Sequence, residues 1–283
     1  MKVDGRLISA VIDEVGKLIV GKEEVLKMVM LGILSNGHIL FEDYPGLAKT
    51  MIAKSFATCL GCDFKRVQFT PDLLPADITG TYVFNQKTGD FTFKEGPIFT
   101  NILLADEINR APPKTQSALL EAMQERQVTI DGVTHSLKDP FMVMATQNPI
   151  ELEGTYPLPE AQLDRFIMKI RVGYPNVDQE TEILKRRLLR KSDNVDLKKV
   201  ADPSAVVQMQ RAVEQVYVDD DVIRYISEIV QATRRHPKVE VGASPRGSLA
   251  ILKLARAHAF YNSRDYVTPD DVKSIAVPAL CHR

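Results

Sequence analysis

The sequence predicts an α/β fold over residues 1–175 and a smaller all-α domain over residues 176–283. Up to Val172, short apolar segments typical of strands alternate with segments typical of helices. After Tyr174 the strand-like segments stop. Such alternation folds into a mostly parallel sheet with helices on both faces, an αβα sandwich. A chain of 283 residues is long enough for both domains.

The sheet is predicted from apolar segments, and the helices from helical periodicity. Helices at residues 3–19 and 23–35 precede the first strand, and Asn36-Gly37 marks the end of the second helix. Further helices are predicted over residues 50–59 and 113–126. The predicted strands are residues 39–41, 65–69, 101–105, 141–146 and 166–172. Because ligands bind at the carboxyl ends of such strands, we expect the functional residues there.

Two β-hairpins are predicted to interrupt the alternation. In the first, residues 82–84 and 91–93 carry alternating aromatic side chains around a loop that contains Gly89. In the second, Asp131-Gly132 separates two strand-forming segments, which is a strong signal for a tight turn.

Capping residues mark the helix starts in residues 176–283. Asp202, Ser244 and Thr268 each precede a proline, which places an N-cap residue before proline at the first helical position. Acidic residues 219–221 begin another helix. This part of the chain is therefore predicted to contain helices only.

The loop after the first strand has the layout of a phosphate-binding loop, a P-loop. Its backbone N–H groups and the positive end of the next helix would cradle phosphates. Lys49 would reach the outer phosphates, and the Thr50 hydroxyl would hold Mg²⁺. We therefore expect nucleotide contacts from Asp43, Tyr44, Pro45, Gly46, Leu47, Ala48, Lys49, Thr50 and Met51.

Two positions of this loop depart from the usual Gly-x-x-x-x-Gly-Lys-Thr pattern. Ala48 replaces the glycine before Lys49, which is tolerable if that residue avoids a positive φ. Asp43 replaces the first glycine, and its carboxylate would repel phosphates unless it points away or binds backbone N–H groups of the loop. These departures bear on affinity and leave the identity of the site unchanged.

An acidic pair, Asp106-Glu107, follows the predicted strand at residues 101–105. Asp106 would bind Mg²⁺, directly or through water, and Glu107 would polarise an attacking water. A strand that ends in solvent-facing acids is common. Here the acidic pair Asp106-Glu107 follows a phosphate-binding loop in the sequence, and this order favours a nucleotide-hydrolysing site.

Composition limits the other function classes. The net charge of −1 gives no general attraction to nucleic acid or anionic membranes, and no apolar segment has the length of a membrane span. The N-terminal residues lack a signal-peptide pattern, so a cytoplasmic location is expected. Cys59 and Cys62 lie at the C-terminal end of a predicted helix, with Gly61 as its cap, where the helix dipole disfavours thiolate. We expect structural thiols.

Five motifs in order resemble those of the MoxR family of AAA+ ATPases, over essentially the whole chain. Residues 105–116, Ala-Asp-Glu-Ile-Asn-Arg-Ala-Pro-Pro-Lys-Thr-Gln, are similar to the Walker B region of that family. The other motifs are residues 69–80, 145–149, 160–166 and 244–247. The resemblance implies an AAA+ P-loop core with a helical lid, ATP and Mg²⁺ as cofactors, and ATP hydrolysis.

The resemblance also implies roles for four further residues. Asn148 matches sensor 1, which orients the attacking water, and Arg165 matches the arginine finger, which acts on the ATP of a neighbouring subunit. Arg246 matches sensor 2, and Gly21 matches the lining of the adenine pocket. Taken alone, these residues could equally be a turn residue, a surface arginine, part of a helix start and a turn glycine. The two hairpins match the helix-2 insert and the pre-sensor-1 hairpin.

In function, the resemblance implies a homo-oligomeric, hexameric ring that remodels or matures a partner protein, one with a von Willebrand factor A domain. A nucleic-acid motor or helicase loader is an alternative, because related AAA+ clades share both hairpins. Basic residues are few there, with Lys87 and Lys94 in the first hairpin and His135 and Lys138 in the second. A slow nucleotide-dependent switch is the other alternative, and Asp43 keeps it open.

Overall fold

The computed structural model describes residues 5–87, 89–149, 154–192 and 195–283. Its strands are β1 (Ile39–Glu42), β2 (Phe64–Gln68), β3 (Gly80–Asn85), β4 (Asp90–Glu95), β5 (Ile102–Asp106), β6 (Gln127–Ile130), β7 (Val133–Ser136), β8 (Met142–Gln147) and β9 (Met168–Ile170). Its helices are α1 (Gly5–Gly16), α2 (Glu23–Leu34), α3 (Lys49–Cys59), α4 (Pro75–Thr79), α5 (Pro113–Glu125), α6 (Glu160–Leu163), α7 (Val177–Arg190), α8 (Pro203–Val213), α9 (Asp220–Arg235), α10 (Pro245–Tyr261) and α11 (Pro269–Leu280).

Five strands form one parallel sheet in the order β2-β5-β8-β1-β9. The loops that follow β1, β5 and β8 therefore leave the sheet at the same edge. All three of these strands are central, so polar residues just beyond their ends are brought together by the backbone pairing alone. The parallel sheet confirms the predicted fold class.

The central strands divide the hydrophobic core into two layers, because successive side chains of a strand point to opposite faces. In β1, Ile39 and Phe41 pack with α1, α2 and α3, whereas Leu40 packs with α5 on the other face. All three side chains are fully buried. The result is the predicted αβα sandwich, with the loop between β1 and α3 held against a rigid layer.

After β9 the described chain contains only helices, apart from an isolated β-bridge between Tyr217 and Tyr266. Val206 of α8, Ile226 of α9 and Ile251 of α10 are buried in the same hydrophobic cluster as α1 and α2. The core thus continues across the predicted domain boundary at 175/176, and that boundary stays a prediction. No helix in the described ranges is long and apolar enough to cross a membrane.

The three predicted helix caps of the C-terminal region are confirmed. The Asp202 side chain accepts a hydrogen bond from the backbone N–H of Ala205 at 2.9 Å. Ser244 accepts from the backbone N–H of Arg246 at 3.1 Å, and Thr268 caps α11 in a capping box. Each cap satisfies a backbone donor that the first turn of a helix leaves free.

Both predicted hairpins are present, as β3–β4 and β6–β7. Asp131 and Gly132 have φ of 49° and 82°, the left-handed values that a tight hairpin turn requires. The His135 ring of the second hairpin stacks on Phe93 of the first at 4.2 Å between centroids, and its Nε2 lies 3.3 Å from the Tyr82 hydroxyl. The two hairpins therefore contact each other through aromatic side chains.

The thiols of Cys59 and Cys62 are free, and burial raises the pKa of each to about 11. Gly61 adopts φ 62° directly after α3, as expected of a residue that ends a helix. Thiols with such raised pKa values carry little thiolate, which agrees with the structural role predicted for this pair.

Some boundaries differ from the prediction. The first helix is described from Gly5 to Gly16, and residues 3 and 4 lie outside the described residues. The last strand is shorter than residues 166–172 because it pairs only with β1, whose register offers Ile39, Leu40 and Phe41. The short helices α4 and α6 were not predicted, since neither is long enough to show helical periodicity.

Candidate nucleotide site

A cavity of about 360 Å³ opens at the carboxyl edge of the sheet. Its walls come from the loop after β1, the first turn of α3, and the ends of β2, β5 and β8. The cavity thus brings together residues of the two motifs that the sequence singled out. The residues that line the cavity are Pro45, Gly46, Leu47, Ala48, Lys49, Thr50, Met51, Arg66, Gln68, Asp106, Glu107, Thr146 and Asn148.

Lys49 begins α3 and lies with its ammonium against the loop. Its Nζ donates to the backbone oxygens of Asp43 at 2.7 Å and Tyr44 at 2.8 Å. Burial lowers the pKa of Lys49, because the ammonium loses water, while nearby carboxylates, Asp43 foremost, oppose this shift. The cation is therefore fixed beside the cavity by the loop itself.

Ala48 does not avoid a positive φ, which was the condition for tolerating an alanine there. Its φ is 57°, in the left-handed region, and Gly46 in the same loop has φ 82°. The loop must reverse direction between β1 and α3 within a few residues, and the residue before Lys49 takes the conformation that a glycine would adopt there. For an alanine this conformation costs roughly 1–2 kcal/mol.

Asp43 and Tyr44 do not line the cavity, although both were predicted to contact the nucleotide. The carboxylate of Asp43 accepts from the backbone N–H of Tyr44 at 2.9 Å and from that of Gly173 at 2.6 Å. It therefore binds loop backbone, one of the two arrangements under which an acid is compatible with phosphate binding. The Tyr44 ring stacks on Tyr174 at 5.7 Å.

Asp106 is the last residue of β5, and both of its carboxylate oxygens accept hydrogen bonds. The Thr146 hydroxyl donates to Oδ1 at 2.6 Å. Arg66 of β2 donates to Oδ2 from Nε at 3.0 Å and from Nη2 at 2.6 Å. This carboxylate is therefore fixed from β8 on one side and from β2 on the other.

Glu107 follows with φ 56°, the left-handed conformation again. Its backbone N–H donates to the Thr146 hydroxyl at 2.8 Å. Its carboxylate oxygen Oε2 accepts from Gln68 Nε2 at 2.7 Å and lies 3.2 Å from Arg110 Nε. A strained backbone held by several contacts is a common feature of functional residues.

Asn148 lies one residue beyond β8 and is buried in the wall of the same cavity. Gly21 does not reach it. Gly21 lines another cavity, of about 470 Å³, beside α7. Its backbone oxygen accepts from Gln179 Nε2 at 2.8 Å, and a Cβ at this position would meet the Gln179 side chain.

Arg165 and Arg246 lie in a third cavity, of about 430 Å³, whose described lining includes no residue of the phosphate-binding loop. Arg165 Nη1 donates to the backbone oxygen of Leu120 at 2.7 Å, and its buried Nε has no hydrogen-bond partner among the described residues. Arg246 Nη2 donates to Gln124 Oε1 at 3.2 Å. The structure thus places these two arginines together and apart from Lys49.

Asp164 organises this third cavity. Its carboxylate accepts from the Ser244 hydroxyl at 2.8 Å and forms an ion pair with Arg283. Arg283 also donates from Nη2 to the backbone oxygen of Phe166 at 2.6 Å. The segment around Arg165 is therefore tied to the start of α10 and to the residues after α11.

The residues present fit a magnesium ion. Thr50 and Asp106 supply a hydroxyl and a carboxylate to one cavity, and Mg²⁺ takes oxygen ligands, commonly one or two from protein with the rest from phosphates and water. The described residues contain no cluster of three or more His, Cys, Asp or Glu side chains that could hold a metal without such help.

Sequence reasoning missed Arg66, Gln68 and Thr146. Arg66 and Gln68 alternate on β2 and so share a face of the strand, but which face meets Asp106 depends on the pairing of β2 with β5. Thr146 is a buried hydroxyl that follows four apolar residues of the central strand β8. That polar position was the one available signal.

Family models match both parts of the chain. The model described as "ATPase family associated with various cellular activities (AAA)" matches residues 38–168. The AAA lid domain model matches residues 231–283. Together with the parallel sheet and the cavity at its carboxyl edge, these matches define the protein as an AAA+ ATPase, an enzyme that hydrolyses ATP.

Similar proteins narrow the class. "Uncharacterized protein YeaC" of Bacillus subtilis is 51% identical, over 98% of this chain and 86% of that protein. "Chaperone MoxR1" of Mycobacterium tuberculosis is 45% identical, over 95% of this chain and 73% of that protein. A solved structure of a candidate ATPase from Cytophaga hutchinsonii is 45% identical with a TM-score of 0.91, covering 99% of this chain and 87% of that one. The chain belongs to the MoxR family of AAA+ ATPases.

Proposed function

We propose that the 360 Å³ cavity binds Mg·ATP and that its residues have separate roles in hydrolysis. Lys49 and the backbone of residues 45–51 hold the phosphates, and Thr50 with Asp106 holds the metal. Bound Mg²⁺ supplies charge neutralisation at the phosphate oxygens. Glu107 accepts the proton of the attacking water, and Asn148 orients that water.

We further propose that the site is completed by a neighbouring copy of this chain in a hexameric ring. The observation that carries this proposal is the position of Arg165 and Arg246, which share a cavity lined by no described residue of the phosphate-binding loop. A cation that stabilises transferred phosphoryl charge must reach the phosphates. In this arrangement both arginines would reach them in the adjacent subunit.

A mixing assay tests the shared site. Arg165→Ala should bind ATP and hydrolyse it poorly, by about 10³-fold or more. Lys49→Ala should bind ATP more weakly, because the loop loses its main positive side chain. Mixed under subunit exchange, the two inactive variants should regain turnover, because some interfaces pair an intact loop with an intact arginine. No recovery, together with wild-type activity independent of protein concentration, would refute the ring.

We propose that the ring acts as a chaperone-like factor that remodels or matures a protein with a von Willebrand factor A domain. The relative named "Chaperone MoxR1" supports the chaperone assignment. The test is to identify a neighbouring gene whose product carries an Asp-x-Ser-x-Ser metal-adhesion motif and to measure ATP-dependent binding with Glu107→Gln. Binding that does not change with nucleotide would contradict this role.

A further inference from the structure

Arg66 is a cation of the same chain in the wall of the 360 Å³ cavity. It lies on β2, outside both nucleotide motifs, and its guanidinium directs two N–H groups at a single oxygen, Oδ2 of Asp106. The Asp106 side chain is 14% exposed and the Arg66 side chain 48% exposed. The pair therefore lies at the mouth of the cavity, with the carboxylate inside and the arginine open to solvent.

The sheet register holds Arg66 in this position. β2 and β5 pair in parallel with Gln68 opposite Asp106. Arg66 is two residues before Gln68, so both side chains emerge on the same face. Arg66 Nη2 also donates to Gln68 Oε1 at 2.8 Å, which gives the guanidinium a second anchor.

The ion pair of Arg66 and Asp106 changes the net charge of the cavity. Asp106 and Glu107 place two carboxylates opposite the loop that would hold phosphates. Like charges that share one cavity repel strongly where water is partly excluded. Arg66 neutralises the carboxylate of Asp106 from within the same chain, as a divalent cation at that carboxylate would.

Both oxygens of Asp106 are engaged, Oδ1 by Thr146 and Oδ2 by Arg66. A metal ion that ligates Oδ2, directly or through water, must share or take the position of the guanidinium. The arginine guanidinium and Mg²⁺ are both cationic partners of carboxylate oxygen, so the two compete for one site.

We propose that Arg66 is an internal counter-cation that competes with Mg²⁺ for Asp106 and makes nucleotide binding less dependent on Mg²⁺. The proposal rests on the nucleotide site proposed above. Arg66 acts through Asp106 and is thus a positioning residue. With it, the cavity accepts nucleotide without metal at a modest loss of affinity. Without it, the two carboxylates oppose nucleotide unless metal is present.

The measurement is equilibrium binding of a fluorescent ATP analogue in excess Mg²⁺ and in excess EDTA. The dissociation constant in EDTA divided by that in Mg²⁺ reports how strongly binding depends on the metal. This ratio is measured without turnover. Arg66→Gln should raise this ratio about tenfold, the range of one charge-assisted hydrogen bond. Arg66→Lys should give an intermediate value, since the charge stays and the two-pronged geometry is lost.

Lys65→Gln is the matched control. It removes the same charge from the adjacent residue of β2, whose Nζ donates to the backbone oxygen of Gly96 at 3.5 Å. Its ratio should equal that of the wild type. Asp106→Asn provides a second test, because with the carboxylate gone the Arg66→Gln change should no longer alter the ratio.

The outcomes separate the two proposals. A ratio in Arg66→Gln equal to or below the wild-type ratio overturns the counter-cation role. So does an equal effect of Arg66→Gln with and without the Asp106 carboxylate. If Lys49→Ala binds the analogue as tightly as the wild type in both conditions, the cavity is not the nucleotide site and the proposed function fails first.

Discussion

Gln68 Nε2 donates a 2.7 Å hydrogen bond to Oε2 of Glu107, the carboxylate proposed to activate water. The bond joins a residue of β2 to the residue that follows β5. Gln68 therefore holds the Glu107 carboxylate in one orientation.

We expect Glu107→Gln to bind ATP like the wild type and to lose turnover by about 10²-fold or more, because an amide cannot act as a general base. Binding of a fluorescent ATP analogue and release of phosphate measure the two effects separately. Glu121→Gln removes an exposed carboxylate from α5 and serves as the control. Wild-type hydrolysis by Glu107→Gln would show that this carboxylate is not the base.

Replacing Ala48 by glycine should stabilise the protein. Ala48 adopts φ 57°, which glycine accepts without steric strain. The gain in free energy of unfolding should be about 0.5–1 kcal/mol, since part of the relief is offset by the greater freedom of glycine in the unfolded chain. Urea unfolding measures it.

The matched control for this substitution is Ala232→Gly. Ala232 is an exposed residue of α9, where glycine should lower stability by about 0.5–1 kcal/mol. Opposite signs at the two positions support the backbone explanation. If both variants are destabilised alike, the strain at Ala48 is not significant.

Acid should destabilise the protein through two buried histidines. His38 Nε2 donates to the backbone oxygen of Met123, and Nδ1 accepts from the backbone N–H of Val143. Burial lowers the pKa of His38 to about 3, from an ordinary value of 6.5. His282 Nε2 donates to the backbone oxygen of Phe166, and burial lowers the pKa of His282 to about 4.

The direction of this pH dependence follows from the number of protons that the folded and unfolded chains bind. Between pH 6.5 and about 4, the unfolded chain protonates these histidines and the folded chain does not. Stability therefore falls as the pH drops through this window, by up to about 1.4 kcal/mol per pH unit for each histidine. His282→Gln should reduce the slope, whereas His236→Gln, at an exposed position, should not. Equal slopes in both variants would contradict the assignment.

DNA should leave the ATPase rate nearly unchanged at physiological salt. Binding to phosphate backbones depends on clustered lysine and arginine, and the chain carries a net charge of −1 with few basic residues in its hairpins. Phosphate release measured with single- and double-stranded DNA tests this. A strong, salt-sensitive stimulation would favour the nucleic-acid motor.

Much of the site could be predicted from the sequence because it depends on local features. Apolar strands such as β1 and β5 set the direction of the chain, and the residues just beyond their ends follow directly. Lys49, Asp106 and Asn148 were therefore found in one cavity, as the parallel sheet requires. Their roles follow from chemistry and stay open to experiment.

The remainder depends on tertiary geometry. Arg66 belongs to the site only because of the register between β2 and β5, which no local pattern reveals. The φ of Ala48 follows from the tight connection between β1 and α3, although an alanine by itself favours a negative φ. The shared cavity of Arg165 and Arg246 requires the docking of α10 against the core.

Asp164 links the position of α10 to the segment that carries Arg165. One carboxylate holds the hydroxyl of Ser244, two residues before Arg246, and the guanidinium of Arg283, while its own chain continues directly into Arg165. A rotation of α10 that keeps the bond to Ser244 would therefore move Asp164 and, with it, the direction in which Arg165 points. If the proposed ring forms, the tilt of α10 in one subunit and the direction of Arg165 toward the next subunit would change together.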